Sequence, residues 1–200
     1  MSFLKKLKSK SFNDIIKILF LKVLNTQICT FHYLVLELDK IPLMELEISS
    51  RAKELNITDF ETGDKNIFNA NKLKLIRERL ESSNYKAYGI IENNELIYST
   101  WISYGYLTLP NGMKFAMDEK ESLLEDSYCS VKARGRGFHS QMNIFRIQKI
   151  KQDGKNRVIA IVLDGNTPAM KVQKKSGFKE AFSFKSGYIL GKPFTIKLKK

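Results

Sequence analysis

The spacing of apolar positions divides the chain into two halves with different rhythms. In the first half, CTFHYLVLEL (29–38) is dense in β-branched and aromatic residues and predicts a strand. NANKLKLIRERLESS (69–83) carries apolar residues at helical spacing between polar flanks and predicts a helix. From Tyr85, YKAYGIIENNELIYSTWISYGYLTL predicts two strands joined at Glu92-Asn93-Asn94. Such a joint is a tight-hairpin signal, because asparagine tolerates the left-handed backbone that these turns need. Pro110-Asn111-Gly112 marks the next turn. Residues 40–70 are mixed and specify no element.

In the second half SLLEDSYCS (122–130) predicts a strand, and a glycine-containing loop, VKARGRGFHS (131–140), follows it. Phe138, Met142, Phe145 and Ile150 then recur at helical intervals, and Asp153-Gly154 supplies a stop. RVIAIVL (157–163) is nearly all apolar, the pattern of a strand covered on both faces. Asp164-Gly165 turns the chain, and Asn166 or Thr167 can cap a helix with Pro168 in its first turn. That helix ends at Gly177, and FKEAFSF (178–184) returns as a strand. The order strand–loop–helix–strand–helix–strand predicts an α/β fold. It also predicts that 122–130 and 157–163 are parallel, with a right-handed crossover.

With 200 residues there is room for one large domain, divided here into an N-terminal extension, 1–28, and a domain, 29–200. Lys17 and Lys22 interrupt the apolar run of the extension. It therefore falls short of the roughly 20 apolar residues of a spanning helix. The preferred reading is a helix docking Ile15, Ile16, Leu19 and Val23 on the domain; the competing one is a basic amphipathic helix on an anionic membrane surface.

The net charge of +13 favours anionic partners, but it comes mainly from lysine. Base reading leans on bidentate arginine, and arginines are few here, which argues against a nucleic-acid-binding module. Cys29 and Cys129 lie too far apart to suggest a disulfide framework, and no His or Cys has metal-ligand spacing. The expectations are a reducing, cytoplasmic setting and no metal.

The loop is the candidate site. It follows a strand of a parallel pair and opens a helix, the place where such sheets bind ligands. Amides at a helix start lack internal partners, the helix dipole adds positive charge, and Gly135 and Gly137 permit close approach of an anion. Lys132, Arg134 and Arg136 add full charges. A pyrophosphate is the natural occupant. Ser140 stands where a dinucleotide fingerprint needs its third glycine, and the Gly-Lys-Ser/Thr end of a P-loop is missing.

Arg134, Gly135, Arg136, Gly137, Phe138 and His139 resemble the [Gln/Arg]-x-x-Gly-x-[Gly/Ala] signature of the GNAT superfamily of acyl-CoA-dependent N-acyltransferases. NTPAMKVQKKSGF supplies that family's second motif as Asn166, Ala169, Gly177 and Phe178 at the family's spacing. The resemblance covers about residues 85–184. EDSYCSVKARGRGFHSQMN is also similar to members encoded among bacterial surface-polysaccharide genes.

The resemblance implies one mixed, mostly antiparallel sheet whose central parallel pair splays to admit acyl-CoA, flanked by helices. It implies that the amides of Cys129 and Val131 hold the pantetheine and polarise the thioester carbonyl. The amides from Arg134 to Ser140 cradle the pyrophosphate, and Asn166 faces the cofactor arm. The reaction implied is acyl transfer from acetyl-CoA, or another acyl-CoA, to a small amine. An amino sugar is the first candidate acceptor, and a homodimer stays open.

Glu125 and Asp126 are the candidate bases. As neighbours on a strand they are expected to point to opposite faces, so that only one lines the cleft. Gln173 stands where the family often has a tyrosine that protonates the leaving thiolate. Tyr128, Ser176 or water are the substitutes, and a protein that binds acyl-CoA without turnover is the alternative. Cys129 reads as a small strand residue rather than a nucleophile.

Overall fold

The structure, a computed structural model, describes residues 26–44 and 46–198. The expected N-terminal helix lies outside the described residues. Ten strands run in chain order: β1 (Gln27–Glu37), β2 (Ala52–Glu54), β3 (Tyr85–Glu92), β4 (Glu95–Ser103), β5 (Tyr106–Thr108), β6 (Lys114–Ala116), β7 (Glu121–Cys129), β8 (Arg157–Leu163), β9 (Lys179–Ile189) and β10 (Lys192–Lys197). Among the described residues there are four α-helices: α1 (Ile57–Glu61), α2 (Ala70–Leu80), α3 (Phe138–Gln152) and α4 (Thr167–Lys175).

Eight strands form one sheet in the order β10-β9-β1-β8-β7-β4-β3-β2, and β5 pairs with β6 in a separate small hairpin. Only β7 and β8 are parallel; every other pairing is antiparallel. β1 starts at Gln27, two residues before the expected domain start, and runs between β8 and β9 in the sheet.

Local chemistry accounts for the element ends. Asn93 and Asn94 adopt φ of 50° and 59°, the left-handed pair of a two-residue hairpin turn between β3 and β4. The Asn56 side chain caps α1 in a capping box with Asp59, and the Asn69 side chain caps α2. Both lie in or beside the stretch whose pattern specified nothing, because α1 is a short helix set by its cap rather than by periodicity. Asn166, not Thr167, caps α4, with its side chain accepting from the Ala169 amide at 3.2 Å.

The sheet separates two layers of core. On one face, Phe138, Met142, Phe145 and Ile150 of α3 pack with Tyr98, Ile102, Leu124 and Val158. On the other, α1, α2 and the segment between them cover Ala87, Leu96 and Trp101 through Phe60, Ile76 and Phe68. Farther along that face, Leu107 and Leu109 of the small hairpin segment cover Phe31, Leu123, Ile159 and Phe184. Strands β4 and β8 are therefore buried on both faces, which explains the nearly continuous apolar sequence of β8.

Candidate active site

β7 and β8 run in parallel register only from Glu121–Leu124 against Arg157–Ala160. Beyond that point β7 stays with β4 as far as Cys129, and β8 stays with β1 as far as Leu163. The two strands part, and a cleft of about 320 Å³ opens between them. Its walls include Glu125, Asp126 and Ser127 of β7, Ile161 and Val162 of β8, His139 and Arg146 of α3, and Asn166 and Gln173 at α4.

The amides on the β7 side of the cleft follow from strand geometry. Ser130 donates its N–H to Ile97 O at 2.9 Å, so alternation turns the Cys129 and Val131 amides away from β4. Farther on, Gly135 and Gly137 hold φ of 80° and 77°, and Gly137 is the residue preceding α3. A Cβ on Gly135 would meet no atom within 4 Å, so the loop is open where it would meet an anion. Among the described residues, the amides of Gly135, Arg136, Gly137, Phe138 and His139 have no backbone acceptor; intrahelical bonding starts with the donation from Ser140 N–H to Gly137 O at 3.1 Å. This run of unpaired donors at a helix start suits a pyrophosphate, so the residues present fit an acyl-CoA.

The loop cations differ in what they do. Arg136 makes a bidentate pair with Glu92 at 2.7 Å for both bonds, and Arg51 meets the same carboxylate. These two guanidinium groups hold the Glu92 carboxyl below its usual range, the Arg136 hydrogen bond contributing most. Lys132 pairs with Glu95 at 3.2 Å. Arg134 alone among the three has no ion pair among the described residues.

At Asp126 the β7 chain bulges. Glu125 pairs with Trp101 and Ser127 with Thr100, which leaves Asp126 without a partner on β4, at φ of 28°. The bulge overturns the expectation that Glu125 and Asp126 point to opposite faces. Both carboxylates meet Arg79 of α2, at 3.5 Å and 3.9 Å, and Asp126 also meets Lys72 at 2.9 Å. Strand alternation holds only for an unbroken ladder, and the extra residue cancels it. Burial pushes the Glu125 carboxyl above its ordinary value against the opposing pull of Arg79.

Beneath the bulge lies a polar network that no motif announces. Arg146 is 2 % exposed, and its guanidinium donates to Trp101 O and Glu125 O, each at 3.1 Å, and to Asn143 Oδ1 at 3.0 Å. Asn143 in turn donates to Gln173 Oε1 at 3.2 Å and to Ser176 Oγ at 2.8 Å. Gln173 and Ser176 are thus tied into this network. Arg146 has no carboxylate among its partners, and burial pushes its pKa down to about 10. The available signal was Asn143 and Arg146, polar residues three apart among the apolar positions Met142, Phe145 and Ile150.

Three other candidates have defined places. His139 lines the cleft with its Nδ1 2.9 Å from the Tyr98 hydroxyl, and burial together with Arg146 lowers its pKa. The Tyr128 ring lies on the α1–α2 face, edge-on to Phe68 with centroids 4.9 Å apart. Burial raises the Cys129 thiol, the opposite of nucleophile activation.

Outside the cleft, on the α2 side, a second cavity of about 410 Å³ adjoins Asp126. Lys72 and Arg79 of α2, Lys114 of β6, and the rings of Tyr85, Trp101 and Tyr106 are among its walls. Arg79 lies over the Tyr85 and Trp101 rings, 5.4 Å and 5.5 Å from their centroids. Among the described residues no group of three or more His, Cys, Asp or Glu side chains is placed to hold a metal ion, and no helix is long and apolar enough to cross a membrane.

No family model and no curated protein matches the chain by sequence. Solved structures do match in fold. One is a protein assigned to the GNAT family of acetyltransferases from Novosphingobium aromaticivorans, 11 % identical, with a TM-score of 0.55 over 80 % of this chain and 63 % of that one. A Drosophila protein matches with a TM-score of 0.57 and 17 % identity over 94 % of this chain and 57 % of its own. The chain therefore spans less than two thirds of either relative. The aminoglycoside N-acetyltransferase AAC(6')-Iy, in complex with the bisubstrate analogue CoA-S-monomethyl-acetylneamine, matches at 0.50 and 18 % identity over 64 % of this chain and 90 % of that one. The fold is that of the GNAT acetyltransferases: one mostly antiparallel sheet with a single parallel pair, flanked by helices.

Proposed function

We propose that the protein is an acyl-CoA-dependent N-acyltransferase acting on a small amine. The observation that carries this reading is the parting of β7 from β8 after Leu124, with the unpaired amides of 135–139 at the mouth of the gap. The bisubstrate complex of AAC(6')-Iy, a protein of the same fold, supports an acyl-CoA donor paired with an amine acceptor. An amino sugar remains the first acceptor to try, in keeping with the sequence likeness to members from surface-polysaccharide gene clusters.

When bound, acyl-CoA supplies an acyl group activated as a thioester. The amides of Cys129 and Val131 hold its pantetheine arm, and the amides of Gly135 to His139 hold the pyrophosphate, with the Arg134 side chain free to add charge. The Arg134 and Ser140 amides are already bonded to Val131 O and Gly137 O. Asn166 lines the cleft beside that arm. The acceptor enters from the charged cavity, where Asp126 meets its ammonium group. Glu125, whose carboxyl burial raises above its ordinary value, takes a proton from the attacking nitrogen. The new bond joins nitrogen to the acyl carbon, the second nitrogen proton passes to water, the carbon–sulfur bond breaks, and the thiolate leaves. The amide of Gln173 is spent on Asn143 and offers no acid, so the proton for sulfur comes from water.

Thiol release from acetyl-CoA across a panel of amines, amino sugars first, tests the reading. The expected result is amine-dependent release that falls by roughly 10²–10⁴-fold in Glu125→Gln with CoA affinity kept. Binding of acyl-CoA with no release for any amine would instead make the protein a non-catalytic binder. The absence of both would remove the proposal.

A further inference from the structure

The β5–β6 hairpin stands on the sheet face opposite α3 and divides the space there in two. Its period-2 alternation sends Tyr106, Thr108 and Lys114 to the charged cavity beside Asp126. Leu107, Leu109 and Phe115 go the other way, into a separate cavity of about 300 Å³. Ile161, Phe182 and Phe184 line this second cavity with them, and its polar rim is at Glu121 and Lys197. Its floor is stiff: the Tyr33 and Phe182 rings stack with centroids 4.6 Å apart, and those of Phe31 and Phe184 at 5.4 Å.

One residue borders both this apolar cavity and the cleft. Ile161 of β8 lies just past the last parallel pair and lines both spaces. An acyl group carried down the cleft reaches Ile161, and the apolar cavity lies on the other side of that residue, while the charged cavity lies on the far side of the hairpin. The walls are mainly apolar, and the Glu121 carboxylate among them is already paired with Arg157 at 3.1 Å, so the cavity suits a hydrocarbon chain, which gains from leaving water in proportion to the area it buries.

We infer that the cavity lined by Leu107, Phe115, Ile161 and Phe184 receives the acyl chain of the donor, so that acyl-CoAs longer than acetyl-CoA are the preferred substrates. The inference rests on the acyl-CoA reading above and deepens it.

The test is a donor series on the unaltered protein, with acetyl-, butanoyl-, hexanoyl- and octanoyl-CoA at a fixed amine. Binding is measured by calorimetry and turnover by thiol release. Affinity or kcat/KM should climb along the series, by up to about fourfold for each methylene that enters the cavity. In Leu107→Trp, whose ring would occupy the cavity, the octanoyl-to-acetyl ratio should drop by at least about tenfold, the size expected from losing two or more such methylenes. The donor series stands even if that variant does not fold. A flat or falling series with acetyl-CoA still bound would overturn the inference and leave the acyl-CoA reading intact. A flat series with a preference for apolar amines would also overturn it, by giving the cavity to the acceptor. Failure of every acyl-CoA and of CoA itself to bind would overturn both.

Discussion

Arg146 Nη1 lies 3.1 Å from the carbonyl oxygen of Glu125, so a buried guanidinium on α3 holds the main chain at the start of the β7 bulge. The same nitrogen reaches Trp101 O on β4 at 3.1 Å. The bulge frees carbonyls from the regular ladder, and Arg146 satisfies them from beneath. Asp126 is thereby turned toward Arg79 and Lys72 instead of toward α3. One helix residue thus positions the groups that face the proposed acceptor.

Replacing that guanidinium should cost both stability and geometry. Arg146→Met keeps much of the apolar stem but orphans two buried carbonyls, each worth about 1–3 kcal/mol when left unpaired. Relief from desolvating a charge offsets part of this loss. A net destabilisation of about 1–3 kcal/mol is expected in urea unfolding, with a larger loss in kcat than in CoA affinity. Unchanged stability and turnover would show that the bulge holds itself.

The loop arginines should separate by function. Arg134→Ala should weaken CoA binding by roughly tenfold or more, the worth of a charge-assisted contact, and flatten its salt dependence. Arg136 is committed to Glu92, so Arg136→Ala should act chiefly by loosening the loop from the β3–β4 hairpin. A smaller effect on the salt dependence of CoA binding is expected there. Calorimetric titration at two salt concentrations distinguishes the two, and an equal salt slope for both variants would contradict the assignment.

Much of the framework was legible in sequence because its signals are local. The Asn93-Asn94 turn, the cap at Asn166 and the glycines at 135 and 137 each act within a few residues, and the α3 periodicity ran true from Phe138 to Ile150. The insertion of β1 between β8 and β9 was not legible, because it depends on pairing partners more than a hundred residues away. The bulge was hidden for a different reason. Asp126 is an ordinary strand neighbour by composition, and only Arg146, 20 positions on in the chain, makes its left-handed backbone tolerable. The same remoteness hid Arg79 as the partner of both carboxylates.

The raised Glu125 carboxyl gives the activity and the stability opposite pH trends. As a base it must be ionised, so kcat/KM should fall with falling pH along a limb set above the ordinary carboxylate value. The folded state holds this proton more tightly than the unfolded chain does. Its contribution to stability is therefore full below the unfolded-state value and is lost as pH rises through the folded-state value. Glu125→Gln should remove that limb from the rate profile and flatten the stability profile in the same window. A rate profile that keeps its limb in the variant would move the base elsewhere.

Calorimetric titration of the protein with CoA tests the central claim most directly, because it needs neither the acceptor nor the acyl chain to be known. Saturable one-to-one binding is predicted, accompanied at 100 times the dissociation constant by about 2.7 kcal/mol of added stability in thermal unfolding. Binding should be weakened in Arg134→Ala. The absence of any heat or melting shift at millimolar CoA would contradict the claim that the gap between β7 and β8 is an acyl-CoA site.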